Sequence, residues 1–237
     1  MTNQTPAHPR QWRPLIFSLL ALVVPFLLFL IVVLVIASGD PTSGKVVLKI
    51  FSNYGALAVL AVLQLLALNA VRRSSGWSWA EVGFRSSSPH QRELLWQIPL
   101  YLAITYGIGR LTAQWLPAAF FSPEMMKKAA LTKSYLLPFL PAITIFCYGF
   151  FQNFLRARWG AVVAVLTLPL LDLALSLKQF APLALALDIR LLLALEVFIG
   201  ALCMTLLQER QRNLWAPLLA LFLNTLLSMA ILLKEHL

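Results

Sequence analysis

The chain has 237 residues, 60% of them hydrophobic and 12% charged, a balance too apolar to clothe a soluble domain. Its 19 Lys and Arg against 9 Asp and Glu give a formal charge of +10. Those basic residues sit mainly between apolar runs, which points to membrane topology and contact with anionic lipid and away from nucleic acid. Cys147 and Cys203 lie inside apolar runs, so they read as packing residues with no disulfide framework behind them.

In chain order, residues 1–14 form a polar tail with Arg10 and Arg13. The apolar run 15–38 is too long for a signal-peptide core and lacks a small-residue cleavage site, which predicts a retained first helix. A second span is predicted over 50–71, then a polar connection over 72–94, and a third span over 95–113. The stretch 114–134 has two readings. It can lie flat in the interface with Trp115, Phe120, Phe121 and Met125 inward and Lys127 and Lys128 outward, or it is an ordinary loop. Further spans are predicted over 135–155, 160–177, 189–207 and 214–233, before a short tail at 234–237. The fold class is therefore all-α, a polytopic transmembrane helical bundle of about seven spans. The tryptophans fall near segment ends or in connections, as an interfacial belt requires.

With the N-terminus inside, Arg10, Arg13, Arg72, Arg73, Arg85, Arg92, Arg156, Arg158, Arg210 and Arg212 share the inner side. Lys45, Lys49, Lys127, Lys128, Lys133, Lys178, Arg190 and Lys234 share the outer one. The excess of inner cations is small and orients the N-terminus to the cytoplasm. The composition fits a bacterial inner membrane.

Ionisable groups inside a bilayer are costly unless paired or wet, so function is sought there first. Arg110, Asp172 and Glu196 are the candidates, as an ion pair that locks helices or as a relay. Thr144, Tyr148 and Gln152 recur at i, i+4 and i+8 and would line one helical face. Asn224 and Ser228 lie one turn apart on the last span. Interhelical hydrogen bonding and a ligand pocket both fit these patterns. Pro169, three residues before Asp172, frees the carbonyl of Val165 from its usual partner.

Three segments carry a resemblance: SWAEVGF over 78–84, GFFQNFLRARWG over 149–160 and RNLWAPLLALFLNTLL over 212–227. In this order and spacing they resemble the CPBP (Abi) family of membrane proteins, the CAAX prenyl endopeptidase and bacteriocin-processing group. The resemblance covers roughly 75–233 and implies a CPBP-like transmembrane core there, preceded by two N-terminal helices in 15–74. Active members of that family use a glutamate pair and an arginine, then a histidine, then a histidine with Asn or Asp, to hold a metal or activate a water. Here the matching positions are Ile143 and Thr144, then Tyr148, then Asp172 or its neighbourhood, then Leu221 and Thr225. Asn224 matches a frequent asparagine.

Independently of any matching, the three histidines, His8, His90 and His236, all lie outside the predicted spans. The membrane interior offers only Asp172, Glu196, Cys147 and Cys203, without metal-ligand spacing. The expectation is no intact catalytic set, no metal and no cofactor. Three functions follow from these readings. The first is a catalytically silent CPBP-like protein that binds a membrane helix or a lipid in the former chamber. The second is a structural subunit of a membrane assembly that uses its outer helix faces. The third is a divergent peptidase working through Asp172 and Glu196.

Overall fold

The computed structural model describes residues 12–38, 53–85, 90–116, 122–180 and 186–234. Arg10, Lys45, Lys49, Phe120, Phe121, His8 and His236 lie outside them. Helix forms wherever the sequence is long and apolar, because in hydrocarbon the backbone must satisfy its own hydrogen bonds. Helices α1 (Trp12–Ser38) and α2 (Tyr54–Ser74) pack as an antiparallel pair. Asn53 caps α2 by accepting from the Gly55 N–H at 2.9 Å, and Arg72 and Arg73 occupy its last turn, where cations favour the helix end. Among the described residues there is no strand.

The connection after α2 folds into a short turn, α3 (Trp79–Val82). Ser78 and Glu81 close a capping box over it, and Gly83 ends it at φ 123°, in the region that favours glycine. Helix α4 (Leu94–Ala113) follows a single 3₁₀ turn at Gln91–Glu93. The stretch read as interface or loop is neither over its second half. There, α5 (Pro123–Leu136) begins under a Ser122 cap with proline at its first position, a favoured start. It runs on through a 3₁₀ turn (Leu137–Phe139), α6 (Leu140–Thr144), a π-helical segment (Ile145–Phe151) and α7 (Gln152–Trp159). Helices α8 (Ala161–Phe180), α9 (Leu187–Gln211) and α10 (Trp215–Lys234) complete the bundle.

Each of the seven predicted apolar segments is helical. By length and composition five helical stretches can cross a membrane: Trp12–Val35, Tyr54–Ser74, Pro123–Trp159, Ala161–Gln179 and Leu187–Gln211. The chain is thus a helical integral membrane protein. Trp215–Ile231 is a shorter apolar helix, and α4 is diluted by Gln97, Pro99 and Arg110. The stretch Pro123–Trp159 counts 37 residues. At about 1.5 Å per residue it would run roughly 55 Å, beyond a hydrocarbon core of about 30 Å. Its first half, with Glu124, Lys127, Lys128 and Lys133, is the polar part.

Helix α10 packs on α5, α4, α9 and α6, α8 packs on α9 and α7, and α9 also packs on α4. One core cluster joins residues from nearly all of them, including Ala21, Leu68, Tyr101, Tyr148, Met204 and Ala220. The large apolar side chains of α1 stay mostly exposed, Leu28 at 58% and Val35 at 66%, which suits lipid as the solvent.

The closest approach in the bundle is at Gly149, within the π-helical segment. A Cβ there would lie 2.9 Å from Val82 Cγ1 and 3.1 Å from the Val82 carbonyl oxygen. Backbone cannot yield as a side-chain tip can, so Gly149→Val is expected to destabilise the bundle by about 1–3 kcal/mol. Thermal unfolding in detergent, with Gly107→Val as the comparison at an uncrowded glycine, reads this directly.

Candidate functional site

Two regions of the bundle hold its polar chemistry, one at each end. At the end where α1 starts and α2, α7 and α9 finish, the arginines collect. Arg72 donates to the Trp77 carbonyl at 2.7 Å and lies 4.6 Å from the centre of the Trp79 ring. Trp12 packs on Phe154 and Trp159, and Arg158 lies over Trp12. Arg210 donates to Glu93 at 2.6 Å, and Arg156 pairs with Glu209 at 3.2 Å. Gln211 reaches both the His90 carbonyl, at 3.1 Å, and the Gln97 side chain, at 2.8 Å.

Three short bonds bind α3 into this end. Asn153 donates to the Val82 carbonyl at 3.2 Å, the Leu214 N–H to the Gly83 carbonyl at 2.9 Å, and Asn213 to the Arg85 carbonyl at 3.1 Å. The carbonyls left open where the turn ends are thereby closed. The segments 78–84, 149–160 and 212–227 consequently meet at one place.

The opposite end holds a cavity of about 280 Å³ between α4, α5, α9 and α10. Arg110, Glu196, Asn224 and Ser228, four of the residues singled out in the sequence, line it together. Gly109 makes room for the carboxylate, since a Cβ there would stand 3.2 Å from Glu196 Oε1. Thr112 is a hydrogen-bond partner of Glu196, and the Lys133 ammonium is near enough for its charge to act on the carboxylate. Thr105 donates to Asn224 Oδ1 at 3.4 Å. Leu227, Ile231 and Met126 supply apolar wall. The arrangement presents two cations, one carboxylate, an amide and hydroxyls beside an apolar surface, which suits a charged head on an apolar body.

The remaining candidates lie elsewhere. Asp172 on α8 is half-buried and far enough from this cavity to take no part in its lining. Its charge instead acts on Cys147 and Tyr148. Tyr148 and Leu221 pack in the same core cluster, whereas Ile143 turns outward. Thr225 donates to the Leu221 carbonyl at 2.8 Å, within its own helix. Thr144 is fully buried and its hydroxyl finds no partner among the described residues. Gln152 is buried too, and donates to the Thr205 carbonyl at 3.0 Å. Thr144, Tyr148 and Gln152 share burial but not one set of neighbours, because the π-helical turns between them bond i to i+5 and break the α-helical spacing. Among the described residues no three of His, Cys, Asp and Glu stand together as metal ligands.

Lys133 is the cavity residue that sequence reasoning missed, since 114–134 offered no reason to extend a helix through it. Tyr106, one turn before Arg110, could have been found from helical spacing alone. No family model matches the chain, nor does any curated protein or solved structure.

Two outcomes follow. Thr144→Val keeps the shape and removes a buried hydroxyl with no partner, so thermal stability is expected to rise by about 1 kcal/mol. The Glu93 carboxyl is held below its ordinary value of 4.5, first by the hydrogen bond from Arg210 and then by that from His90. Because the folded value is the lower one, the pair's contribution is complete above pH 4.5 and is lost as pH falls below it. Unfolding measured against pH should show Glu93→Gln and wild type differing at neutral pH and converging in acid.

Proposed function

We propose that the chain is a non-hydrolytic, CPBP-like membrane protein that binds a lipid by its charged head in the cavity of Arg110, Lys133, Glu196, Asn224 and Ser228. In this reading it has seven spans, a core over about 75–233 and a cytoplasmic N-terminus, and it sits in a bacterial inner membrane. The observation that carries the proposal is the convergence of polar groups from separate apolar segments on one cavity. Polar groups are placed in such segments at a cost, and four of them pointing into one space give that cost a use. The size agrees. Sites that enclose a whole small ligand run to about 300–1,000 Å³, so a cavity of about 280 Å³ takes a head group and leaves the chains in the bilayer.

The meeting of segments 78–84, 149–160 and 212–227 supports the CPBP-like part of the reading, since a resemblance spread over three stretches is more telling when they build one junction. The motif positions Ile143, Thr144, Tyr148, Leu221 and Thr225 carry no carboxylate or histidine, and this supports binding without hydrolysis.

The test is native mass spectrometry of the protein extracted in mild detergent, followed by exchange into anionic and zwitterionic lipids. Wild type is expected to retain an anionic lipid. Lys133→Ala and Asn224→Ala should each weaken retention about tenfold, the size of one hydrogen bond to a charged group. Retention unchanged in both, or lost equally in Asp172→Ala, would overturn the site. Peptide hydrolysis that depends on Asp172 or Glu196 would overturn the non-hydrolytic reading.

A further inference from the structure

A second cavity, separate from the one above, lies in the arginine-rich end between α3, α7 and α9. It is small, about 60 Å³, room for about two waters at about 30 Å³ each. Its lining is almost wholly polar and includes Arg85, Arg156, Arg212, Gln152 and Gln208. The Arg85 and Arg212 guanidiniums are near enough to Arg156 for their charges to oppose its own. Two carboxylates also border the space, and both are engaged. Glu81 accepts from the Ser78 N–H at 2.6 Å to cap α3, and Glu209 pairs with Arg156. Three guanidiniums against two carboxylates leave a surplus positive charge.

Two further features separate this from a merely basic helix end. Gln152 is 1% exposed and Gln208 3% exposed, yet Oε1 of each accepts no hydrogen bond from any described residue. A buried acceptor without a donor is costly, so two of them bordering one cavity call for an occupant. Arg212 also adopts a left-handed conformation, φ 49°, and among the described residues no other non-glycine has positive φ. It stands at the C-cap of α9, where glycine is the usual choice. An arginine kept in that backbone conformation turns a helix end into a point of attachment for its side chain.

We propose that this cavity binds a phosphate monoester head, with Arg85, Arg156 and Arg212 facing its charged oxygens and the Gln152 and Gln208 carbonyls accepting from its P–OH. The two carbonyls select the class. A fully ionised oxyanion or a phosphodiester has no phosphoryl proton to give them, whereas a monoester with a second pKa near about 6 keeps one for part of the time at neutral pH. The guanidinium forks supply the matching donors. The head can belong to a lipid of the phosphatidic acid type at the membrane face or to a soluble phosphate.

The experiment uses the full-length protein in phosphatidylcholine nanodiscs. One arm titrates inorganic phosphate, a second compares discs doped with phosphatidic acid, and a third compares discs doped with phosphatidylglycerol, each read by thermal shift. Stabilisation by phosphate identifies a soluble source, and stabilisation by phosphatidic acid alone identifies a lipid source. In either case Arg212→Gln is expected to weaken the response at least tenfold, and Lys178→Gln to leave it unchanged. Gln208→Leu keeps every charge and should reduce the preference for monoester over phosphatidylglycerol. Arg85→Gln serves if Arg212→Gln fails to fold by circular dichroism. No response from wild type in the first two arms overturns the proposal, as does an equal response to phosphatidylglycerol, or an unchanged response in the folded arginine variant.

Discussion

The bundle depends on how the short turn α3 is held. Its four residues leave carbonyl groups open at the C-terminal end, and each is closed from a different part of the chain: Val82 by Asn153, Gly83 by the Leu214 N–H, Arg85 by Asn213. Gly149 lets this happen, because its missing side chain allows the Val82 backbone to come within contact distance of the π-helical segment. One polar junction thereby fixes the relative position of α7, the start of α10 and the connection out of α2. Hydrophobic association cannot do this inside a bilayer, where lipid tails compete equally for every apolar face. Position must come from bonds with direction and from close backbone approach, and both are concentrated here.

The two ends of the bundle divide the labour accordingly. The arginine-rich end is dense in directed contacts, with ring packing around Trp12 and ion pairs at Glu93 and Glu209. The opposite end keeps its charges around open space. Glu196 is held there by the Thr112 hydrogen bond and by the field of Lys133, and so can remain in an apolar helix without closing the cavity. A fixed end and an open end suit a protein that holds something, since the fixed end supplies the rigidity against which the open end is shaped.

Much of this was legible in the sequence, and the rest was hidden for definable reasons. The apolar runs located the helices because length and hydropathy are local properties. The polar residues inside those runs pointed to the cavity, and Arg110, Glu196, Asn224 and Ser228 do share it. Asp172 carried the same signal and belongs elsewhere, because a residue's presence in a span says nothing about which neighbour its helix presents. Lys133 was hidden by the prolines at 138 and 141, which read as the start of a span although the helix passes through them. The π-helical segment left no mark, since IFCYGFF has the composition of any membrane helix and its extra width comes from the packing at Gly149.

That segment makes the fourth apolar stretch two helices in different phase, joined without a break. A π-helical turn is in effect an α-helix with a residue inserted, and it is where a helix can lose one and stay continuous. Removing a single residue within Ile145–Phe151 would let the stretch relax to plain α-helix. Everything after the deletion would then rotate by about 100° against everything before it. Gln152 would leave the Thr205 carbonyl, and Asn153 would leave α3. The extra residue acts as a phase-setter, and it allows one continuous helix to serve the core with one half and the polar junction with the other.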